Sequence, residues 1–311
     1  MSKITTAIYL LKLNRNEFLA SILTKVNFLF PDKLYLSLLF RLRMGFWIDW
    51  KNPKTFSEKL QWLKLYDRNQ EYTTIVDKYA VKDYVAKIIG KEHIIPTLGV
   101  WDYLEDIEWD KLPQQFVLKT THGGGGSGVV ICKDKSTFNK ADAIVKLKKS
   151  FKECIYKSLR EWPYKNVDKK IIAEEFLSDA SEYNNEGLTD YKFYCFNGKA
   201  YKVMLCLDRH KEDTKFYSFD KEWNLLRHNK RGLAAPIDFT LPKPPCMDEM
   251  FKIAEDLSKG IPFARVDLYY VNNKIYFSEI TFYPDSGLDE NILPEIDKLY
   301  GSMIELHKER K

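Results

Sequence analysis

The chain has 311 residues, enough for one large domain or two, and its 45% hydrophobic and 30% charged residues are typical of a soluble globular protein. The net charge of +5, from 49 basic and 44 acidic residues, suits an anionic ligand but is too small and too evenly spread for a nucleic-acid-binding protein. No signal peptide is evident, and the longest apolar runs are too short to span a membrane. The five cysteines show no spacing of a zinc site or a disulfide framework, which predicts reduced thiols and a cytoplasmic protein.

Residues 1–75 are predicted to form a helical N-terminal region, because their apolar residues recur at intervals of three and four. Within it, Thr55 and Glu58 have the spacing of a capping box and predict the start of a helix just after Pro53. Residues 28–50 are dense in aromatic, leucine and arginine side chains. Such a segment can pack on its own domain, or it can lie on a membrane surface. Peripheral attachment to the inner face of the membrane is therefore an alternative to a purely cytoplasmic location.

Short strands and helices follow without a regular βαβ alternation. Residues 77–82 are predicted to open a helix, and the pair Asn197-Gly198 between two apolar runs predicts a β-hairpin. Two further apolar runs, residues 264–271 and 275–281, predict the last pair of strands before a C-terminal helix. The pattern predicts an α+β fold built from antiparallel strand pairs.

A glycine-dense loop lies between two short apolar runs. Lys119 is near the end of the first run, and residues 123–128 read Gly-Gly-Gly-Gly-Ser-Gly. Without Cβ atoms, successive backbone N–H groups can turn toward one anion, and a lysine beside them adds a fixed positive charge. The pattern predicts a phosphate-binding loop, and the alternative is a flexible hairpin tip without a ligand.

The last predicted pair of strands carries two carboxylates, and we call residues 264–281 the acidic hairpin. In a strand, residues i and i+2 share a face, so Arg265 lies on the side of Asp267, and Glu279 on the side of Thr281. If Asp267 faces Glu279 in an antiparallel pair, then Arg265 faces Thr281. The predicted hairpin therefore presents all four side chains on one face.

The length of the connecting loop decides whether this pairing forms. A three-residue loop, Asn272-Asn273-Lys274, allows it, whereas a two-residue Asn272-Asn273 turn would place the carboxylates on opposite faces. We expect the longer loop, because it leaves an apolar opposite face on which Ser278 is the one small polar residue. The same register places Phe277 on the carboxylate face. Two facing carboxylates repel unless a cation lies between them, and such oxygen ligands suit Mg²⁺.

The order of these parts resembles that of the ATP-grasp ligase superfamily, and within it the TupA-like branch associated with teichuronopeptide and other bacterial surface polysaccharides. The similarity covers residues 50–290. It implies an ATP-grasp fold, in which two α+β subdomains grip ATP. Residues 76–178 would form the nucleotide-binding subdomain with the glycine loop, and residues 179–311 the catalytic and metal-binding subdomain. The chain departs from the superfamily in that its first hundred residues show no βαβ domain.

The resemblance implies an ATP site. Lys78 and Lys119 are similar to the two lysines that reach the nucleotide phosphates, and Glu174 lies in the strand that contacts adenine. The implied residues of the flexible loop over the phosphates are Gly123, Gly124, Gly125, Gly126, Ser127 and Gly128. The implied residues of the adenine-contacting hinge are Glu174, Glu175, Phe176 and Leu177.

The resemblance also implies catalytic residues. Asp190 and Lys192 are similar to the charged pair that opens the catalytic subdomain, in which Asp190 would belong to the nucleotide-binding residues, and Arg265 is similar to the transition-state arginine. Together with Arg209, the cationic side chains of Lys192 and Arg265 would stabilise the transferring phosphate or hold a substrate carboxylate.

A magnesium site follows from the same resemblance. Asp267 and Glu279 match the two Mg²⁺ carboxylates. Many members have asparagine where this chain has Thr281, and the threonine hydroxyl is a weaker ligand for a second ion. Asp285 is a further candidate ligand.

The implied reaction activates a carboxylate with ATP and passes the acyl phosphate to an amine, with release of ADP. The implied substrates are a uronic-acid-containing glycan or an amino acid as the carboxylate, together with an amine. Their amide linkage would serve the synthesis of capsule or other surface polysaccharide.

Rival functions lack their own motifs. The glycine loop also satisfies a protein-kinase pattern, but no His-Arg-Asp run accompanies it, and no Gly-Lys-Ser/Thr closes a Walker loop. A glycosyltransferase of the same pathway would need a nucleotide-sugar site, and no clear Asp-x-Asp pair is present. A binding module without catalysis is disfavoured by the joint presence of Lys78, Lys119, Asp267 and Glu279.

Overall fold

The computed structural model describes residues 15–178, 188–207 and 214–306. They form two compact units. The first, which we call the helical unit, takes its residues from the chain up to Asn69, from Cys154–Lys165 and from Tyr283 onward. The second, the sheet unit, lies within Gln70–Glu153 and Asn166–Phe282. The division into residues 1–75, 76–178 and 179–311 stays a prediction.

Among the described residues, five helices precede the first strand, and the other five separate or follow groups of strands. In chain order they are α1 Arg15–Lys25, α2 Asp32–Met44, α3 Phe56–Tyr66, α4 Glu71–Val76, α5 Val81–Ile89, α6 Lys140–Lys152, α7 Ile155–Leu159, α8 Lys230–Ala234, α9 Met247–Ser258 and α10 Pro294–Met303.

The strands form two antiparallel sheets, which confirms the predicted α+β class. They are β1 Thr97–Trp101, β2 Phe116–Thr120, β3 Val129–Cys132, β4 Ile171–Glu175, β5 Asp190–Phe196, β6 Lys199–Leu207, β7 Lys215–Phe219, β8 Leu225–Leu226, β9 Phe263–Val271 and β10 Lys274–Thr281. The four-stranded sheet has the order β1-β4-β2-β3, and the six-stranded sheet has the order β10-β9-β5-β6-β7-β8.

The helical unit is built on the predicted helix start after Pro53. The Thr55 hydroxyl accepts a hydrogen bond from the Glu58 N–H, and the Glu58 carboxylate accepts one from the Thr55 N–H, so the capping box is confirmed. In α2, one side is buried in the core of the unit through Tyr35, Leu36, Leu39 and Phe40. Residues 28–50 therefore pack on their own unit.

The same segment also leaves apolar side chains on the surface. Phe28 and Trp47 are 77% and 59% exposed. Among the described residues, no helix is long and apolar enough to cross a membrane.

One face of the four-stranded sheet packs on a hydrophobic core, and the other face lines a cleft. In β2, the buried Phe116 and Leu118 alternate with the half-buried Val117 and Lys119, as the two-residue period of a strand requires. The buried side packs against α6, where Leu147 is fully buried. The alternation consequently places Lys119 on the face away from this core.

The six-stranded sheet has one face on α9 and one polar face. The predicted hairpin at Asn197-Gly198 joins β5 to β6, with positive φ at both turn residues. Phe193 packs edge-on against Phe251 of α9, with ring centroids 5.0 Å apart.

Directly opposed residues on neighbouring strands share a face, so the strand pairing places two rows of mainly polar side chains on one face of the sheet. One row is Glu279, Asp267, Lys192, Met204 and Ser218; the other is Thr281, Arg265, Tyr194 and Lys202. Most of the predicted catalytic and metal-binding side chains thus lie side by side on one face of the sheet.

Candidate active site

The acidic hairpin pairs its carboxylates as the sequence predicts. Asp267 lies opposite Glu279, and Arg265 lies opposite Thr281. Arg265 donates two hydrogen bonds of 2.7 Å to the Asp267 carboxylate, and its Nη2 also donates to Glu279 Oε1 at 3.2 Å and to Thr281 Oγ1 at 3.1 Å. The guanidinium therefore supplies positive charge to both carboxylates.

The three-residue loop predicted for this hairpin is wrong. Val271 pairs with Lys274, so the turn is the two-residue Asn272-Asn273, with φ of +50° and +62° at its residues. Asparagine tolerates the left-handed region better than most residues, which explains the tighter turn. The extra residue lies instead in β10, where the register shifts between Phe277 and Glu279.

This bulge at Ser278 has two consequences. Phe277 pairs with Leu268 and therefore lies on the apolar face, and the prediction that it shares the carboxylate face is wrong. Ser278, the one small polar residue predicted on the apolar face, lines a cleft next to the carboxylates. Bulges often redirect a side chain in this way beside an active site.

Asp267 is buried and surrounded by cations. Lys192 Nζ lies 2.6 Å from Asp267 Oδ2 and 3.3 Å from Asp190 Oδ2, while Arg265 donates to both oxygens of the Asp267 carboxylate. Burial raises the pKa of Asp267, and the charges of Arg265 and Lys192 oppose that rise. The predicted pair Asp190 and Lys192 thus joins the acidic hairpin in one cluster of charges.

The side chains of this cluster fit a magnesium ion that is held by carboxylates and a nucleotide together. Within the described part of the chain, no group of three or more His, Cys, Asp or Glu side chains is arranged to hold a metal. Two facing carboxylates, Asp267 and Glu279, remain, and Mg²⁺ in nucleotide sites is commonly held by one or two carboxylates with phosphates and water. The donor set fits an ion that a nucleotide helps to hold.

A cationic cleft lies beside the acidic hairpin in the sheet unit. It is lined by Lys78, Lys82, Ile94, Ile95, Lys119, Glu174, Phe277 and Ser278. Three lysines against one glutamate give this cleft a positive charge, which suits phosphate groups. The structure therefore brings both predicted phosphate lysines, Lys78 and Lys119, into one site.

Lys78 connects this cleft to the glycine loop and to the acidic hairpin. Its Nζ donates to the Gly123 carbonyl, and its backbone N–H donates to the Thr121 carbonyl at 3.0 Å. Burial lowers the pKa of Lys78, and the largest opposing influence is the charge of Glu279. The metal-binding carboxylate predicted on β10 is thus part of the electrostatic environment of this lysine.

The glycine loop closes the β2–β3 hairpin, at whose base Lys119 pairs with Val129. Gly125 and Gly126 have φ of +61° and +77°, which L side chains rarely adopt. A Cβ on Gly128 would clash with the hydroxyls of Thr120 and Ser150, which share a hydrogen bond of 2.8 Å. These glycines are explained by backbone conformation and by close packing.

The predicted hinge residues lie at the end of β4. The Glu174 carboxylate is buried between Lys119 and Lys82, at 2.5 Å and 2.6 Å. Glu175 is the last residue of the strand and is exposed, and Phe176 and Leu177 follow it. Their contact with adenine stays a prediction.

One predicted catalytic residue, Arg209, lies outside the described residues. One residue of the cleft, Lys82, was missed by sequence analysis. The signal that could have found it is its spacing of four from Lys78, which would place two lysines on one side of the helix predicted to open at residues 77–82. In the structure this helix, α5, begins only at Val81, and Lys78 lies in the turn before it.

The chain matches a known family over most of its length. The family model described as TupA-like ATPgrasp matches residues 58–305. A search of the curated proteins found no match.

Several solved structures are similar at low sequence identity. A D-alanine–D-alanine ligase from Bacillus anthracis is 18% identical with a TM-score of 0.42, and the match covers 73% of this chain and 63% of that one. An N5-carboxyaminoimidazole synthase from Aspergillus clavatus, in complex with ADP and a ribonucleotide, is 12% identical with a TM-score of 0.38, covering 68% and 46%. The ATP-grasp ligase PsnB, in complex with minimal precursor, Mg and ADP, is 9% identical with a TM-score of 0.39, covering 79% and 65%. The chain spans less than two thirds of the length of each of these proteins.

Proposed function

Because the chain belongs to the TupA-like ATP-grasp family, we propose that it is an ATP-dependent ligase that joins a carboxylate to an amine and releases ADP. The observation that carries the proposal is the cleft in which Lys78, Lys82 and Lys119 converge beside the acidic hairpin. A cationic pocket next to a pair of carboxylates suits a nucleotide phosphate chain and its Mg²⁺.

In this proposal Lys78 and Lys119 bind the phosphates of ATP, and the backbone N–H groups of residues 123–128 cover them. Asp267 and Glu279 hold Mg²⁺, which when bound neutralises charge on the phosphates. Arg265 lies on the same face of the sheet as both carboxylates and contacts each of them, so its guanidinium is placed to stabilise charge on the transferred phosphoryl group.

Lys192 has a second task in this arrangement. It lies one strand away from Asp267, between that carboxylate and Asp190. Its ammonium neutralises part of the buried negative charge. It therefore keeps the Asp267 side chain in the same position with and without bound nucleotide and metal. Orientation and electrostatics of this kind supply most of the rate in phosphoryl transfer.

The proposed substrates rest on the family resemblance and not on the fold. We propose a uronic-acid carboxylate or an amino acid as the group that is activated, and an amine as the group that captures it. The product would be an amide in a capsule or other surface polysaccharide of a bacterium. The enzyme would act in the cytoplasm or at the inner face of the membrane.

The test is a nucleotide assay with a chemical trap. The protein is incubated with Mg-ATP and a panel of uronates and amino acids, and ADP and AMP are measured with and without hydroxylamine. We expect ADP release that depends on a carboxylate, with a hydroxamate formed from that carboxylate when hydroxylamine is present. AMP release contradicts the acyl-phosphate route. ADP release with a hydroxylamine-resistant phosphate ester assigns a kinase instead, and transfer from a nucleotide sugar assigns a glycosyltransferase.

A further inference from the structure

The two oxygens of the Glu174 carboxylate are each taken by a different lysine. Lys82 Nζ lies 2.6 Å from Glu174 Oε1, and Lys119 Nζ lies 2.5 Å from Glu174 Oε2. The side chain of Glu174 is 5% exposed, while those of Lys82 and Lys119 are 12% and 17% exposed. The arrangement is a buried carboxylate shared by two cations.

The three residues come from three different elements. Glu174 lies on β4 and Lys119 on the neighbouring β2, where Val117 is the direct partner of Glu174. Lys82 reaches the carboxylate from α5, and its Nζ also donates to the Ile95 carbonyl at 2.6 Å. The Lys82 ammonium is therefore fixed by two acceptors and cannot move toward a ligand without breaking one of them.

Burial and charge explain why Glu174 stays ionised here. Burial acts to raise the pKa of Glu174, but Lys119 and Lys82 outweigh it and the pKa is lowered. A buried carboxylate with a single lysine forms a closed pair in which the charges cancel. With two lysines the cluster has an excess positive charge, and it faces the cleft.

We propose that Lys82 is a positioning residue, which shares the Glu174 carboxylate with Lys119 and so keeps the Lys119 ammonium available to a phosphate in the cleft. Without Lys82, Glu174 would bind Lys119 alone, and a phosphate would have to compete with a buried carboxylate for that ammonium. The inference rests on the proposed function in one respect, since it takes the phosphate to be that of ATP.

The test is a double-mutant cycle on the dissociation constant of Mg-ATP, measured by isothermal titration calorimetry. Lys82→Met should weaken binding about tenfold, which corresponds to the loss of one charge-assisted interaction. In a Glu174→Gln background, the same Lys82→Met change should alter binding less than about twofold, because no carboxylate remains to be shared. Lys82→Arg should restore affinity, since arginine keeps the charge and the reach.

The exposed Lys87 supplies a matched control. Lys87→Met lies on the exposed side of the same helix and should leave the affinity unchanged. Equal affinity of Lys82→Met and wild type overturns the proposal, and so does an equal loss in the Glu174→Gln background, which would make Lys82 a direct ligand of the nucleotide. If Lys82→Met does not fold, Lys82→Gln replaces it in both backgrounds.

Failure of the proposed function has a different signature. A wild-type protein that does not bind Mg-ATP contradicts the function and leaves the charge cluster to be tested with inorganic tripolyphosphate in the same cycle. A coupling between Lys82 and Glu174 in tripolyphosphate binding supports the positioning role, and additivity there overturns it.

Discussion

Asp267 and Glu279 face each other across β9 and β10 although the turn that joins these strands has only two residues. With that turn alone, Asp267 would face Ser278 and the carboxylates would lie on opposite sides of the sheet. The bulge at Ser278 brings the two carboxylates back to the same face, because it shifts the strand pairing by one residue between Phe277 and Glu279. The carboxylate pair therefore depends on an irregularity in the strand.

The two predicted phosphate lysines give the first prediction. Lys78→Ala and Lys119→Ala should each weaken Mg-ATP binding by about tenfold to a hundredfold, because each removes a charged hydrogen-bond donor from a shielded cleft. Isothermal titration calorimetry measures the effect. Lys148→Ala, on the exposed side of α6, is the control. Wild-type affinity in both alanine variants would show that the phosphates of ATP do not bind in this cleft.

Asp267→Asn should reduce turnover by on the order of a hundredfold or more, because charge stabilisation by a bound cation contributes several kcal/mol. It should also lower the melting temperature, since Arg265 and Lys192 lose the buried carboxylate they share. Steady-state kinetics and thermal unfolding measure the two effects, with the exposed Asp248→Asn as control. Near-normal turnover in Asp267→Asn would contradict the catalytic assignment of the acidic hairpin.

The buried His122 should lower the free energy of unfolding in acid. Its ring is buried, its Nε2 donates to the Ser150 carbonyl at 3.2 Å, and burial together with the charge of Lys169 lowers the pKa of His122 to about 4. Between pH 6.5 and pH 4 the unfolded chain binds a proton at this residue and the folded chain does not, so the free energy of unfolding falls as the pH falls. The total should be on the order of 3 kcal/mol.

Urea unfolding of wild type and His122→Gln across this pH range checks the effect. The variant lacks the titrating ring, so its free energy of unfolding should fall less steeply than that of the wild type. Parallel curves for the two proteins would show that His122 does not carry this pH dependence.

Lys64 connects three segments of the helical unit. Its Nζ is fully buried and donates to the Leu159 carbonyl at 3.1 Å, to Gln61, and to the carbonyl and hydroxyl of Ser286. Glu161 is buried nearby; burial raises its pKa and the charge of Lys64 opposes the rise. Lys64→Met should lower the free energy of unfolding by about 3 kcal/mol, because buried acceptors lose their donor and the buried Glu161 loses a nearby positive charge.

A second substitution isolates the charge. Glu161→Gln added to Lys64→Met should recover part of the loss, since no buried carboxyl group is then left without its partner. Urea unfolding measures both variants. A double variant less stable than Lys64→Met alone would contradict the explanation that the charge of Lys64 stabilises the buried Glu161.

The local signals of the sequence predict most elements correctly, because each rests on interactions within a few residues. The capping box at Thr55 and Glu58 and the turn at Asn197-Gly198 are examples. The pairing of Asp267 with Glu279 follows from strand periodicity together with one extra residue between them. Where that residue lies, in the turn or in a bulge, is decided by packing of the sheet, and the sequence contains no local signal for it.

Other features arise only when distant segments meet. Glu174 reads as part of a hinge in the sequence, and its two lysines come from α5 and β2. The helical unit likewise combines its first helices with Cys154–Lys165 and with the chain from Tyr283 onward. No change in composition along the sequence marks these boundaries. Tertiary charge pairs and discontinuous units depend on the complete fold and lie beyond reasoning from neighbouring residues.

The most direct test of the proposed reaction follows the oxygen atoms of the carboxylate. Once the nucleotide assay has identified a carboxylate that elicits ADP release, it is supplied with both oxygens as ¹⁸O, together with Mg-ATP and the amine. Formation of an acyl phosphate and its capture by the amine transfers one ¹⁸O atom to each inorganic phosphate released, which mass spectrometry detects. Phosphate that contains ¹⁸O at this ratio is the predicted result, and phosphate without ¹⁸O would contradict a ligase that works through an acyl phosphate.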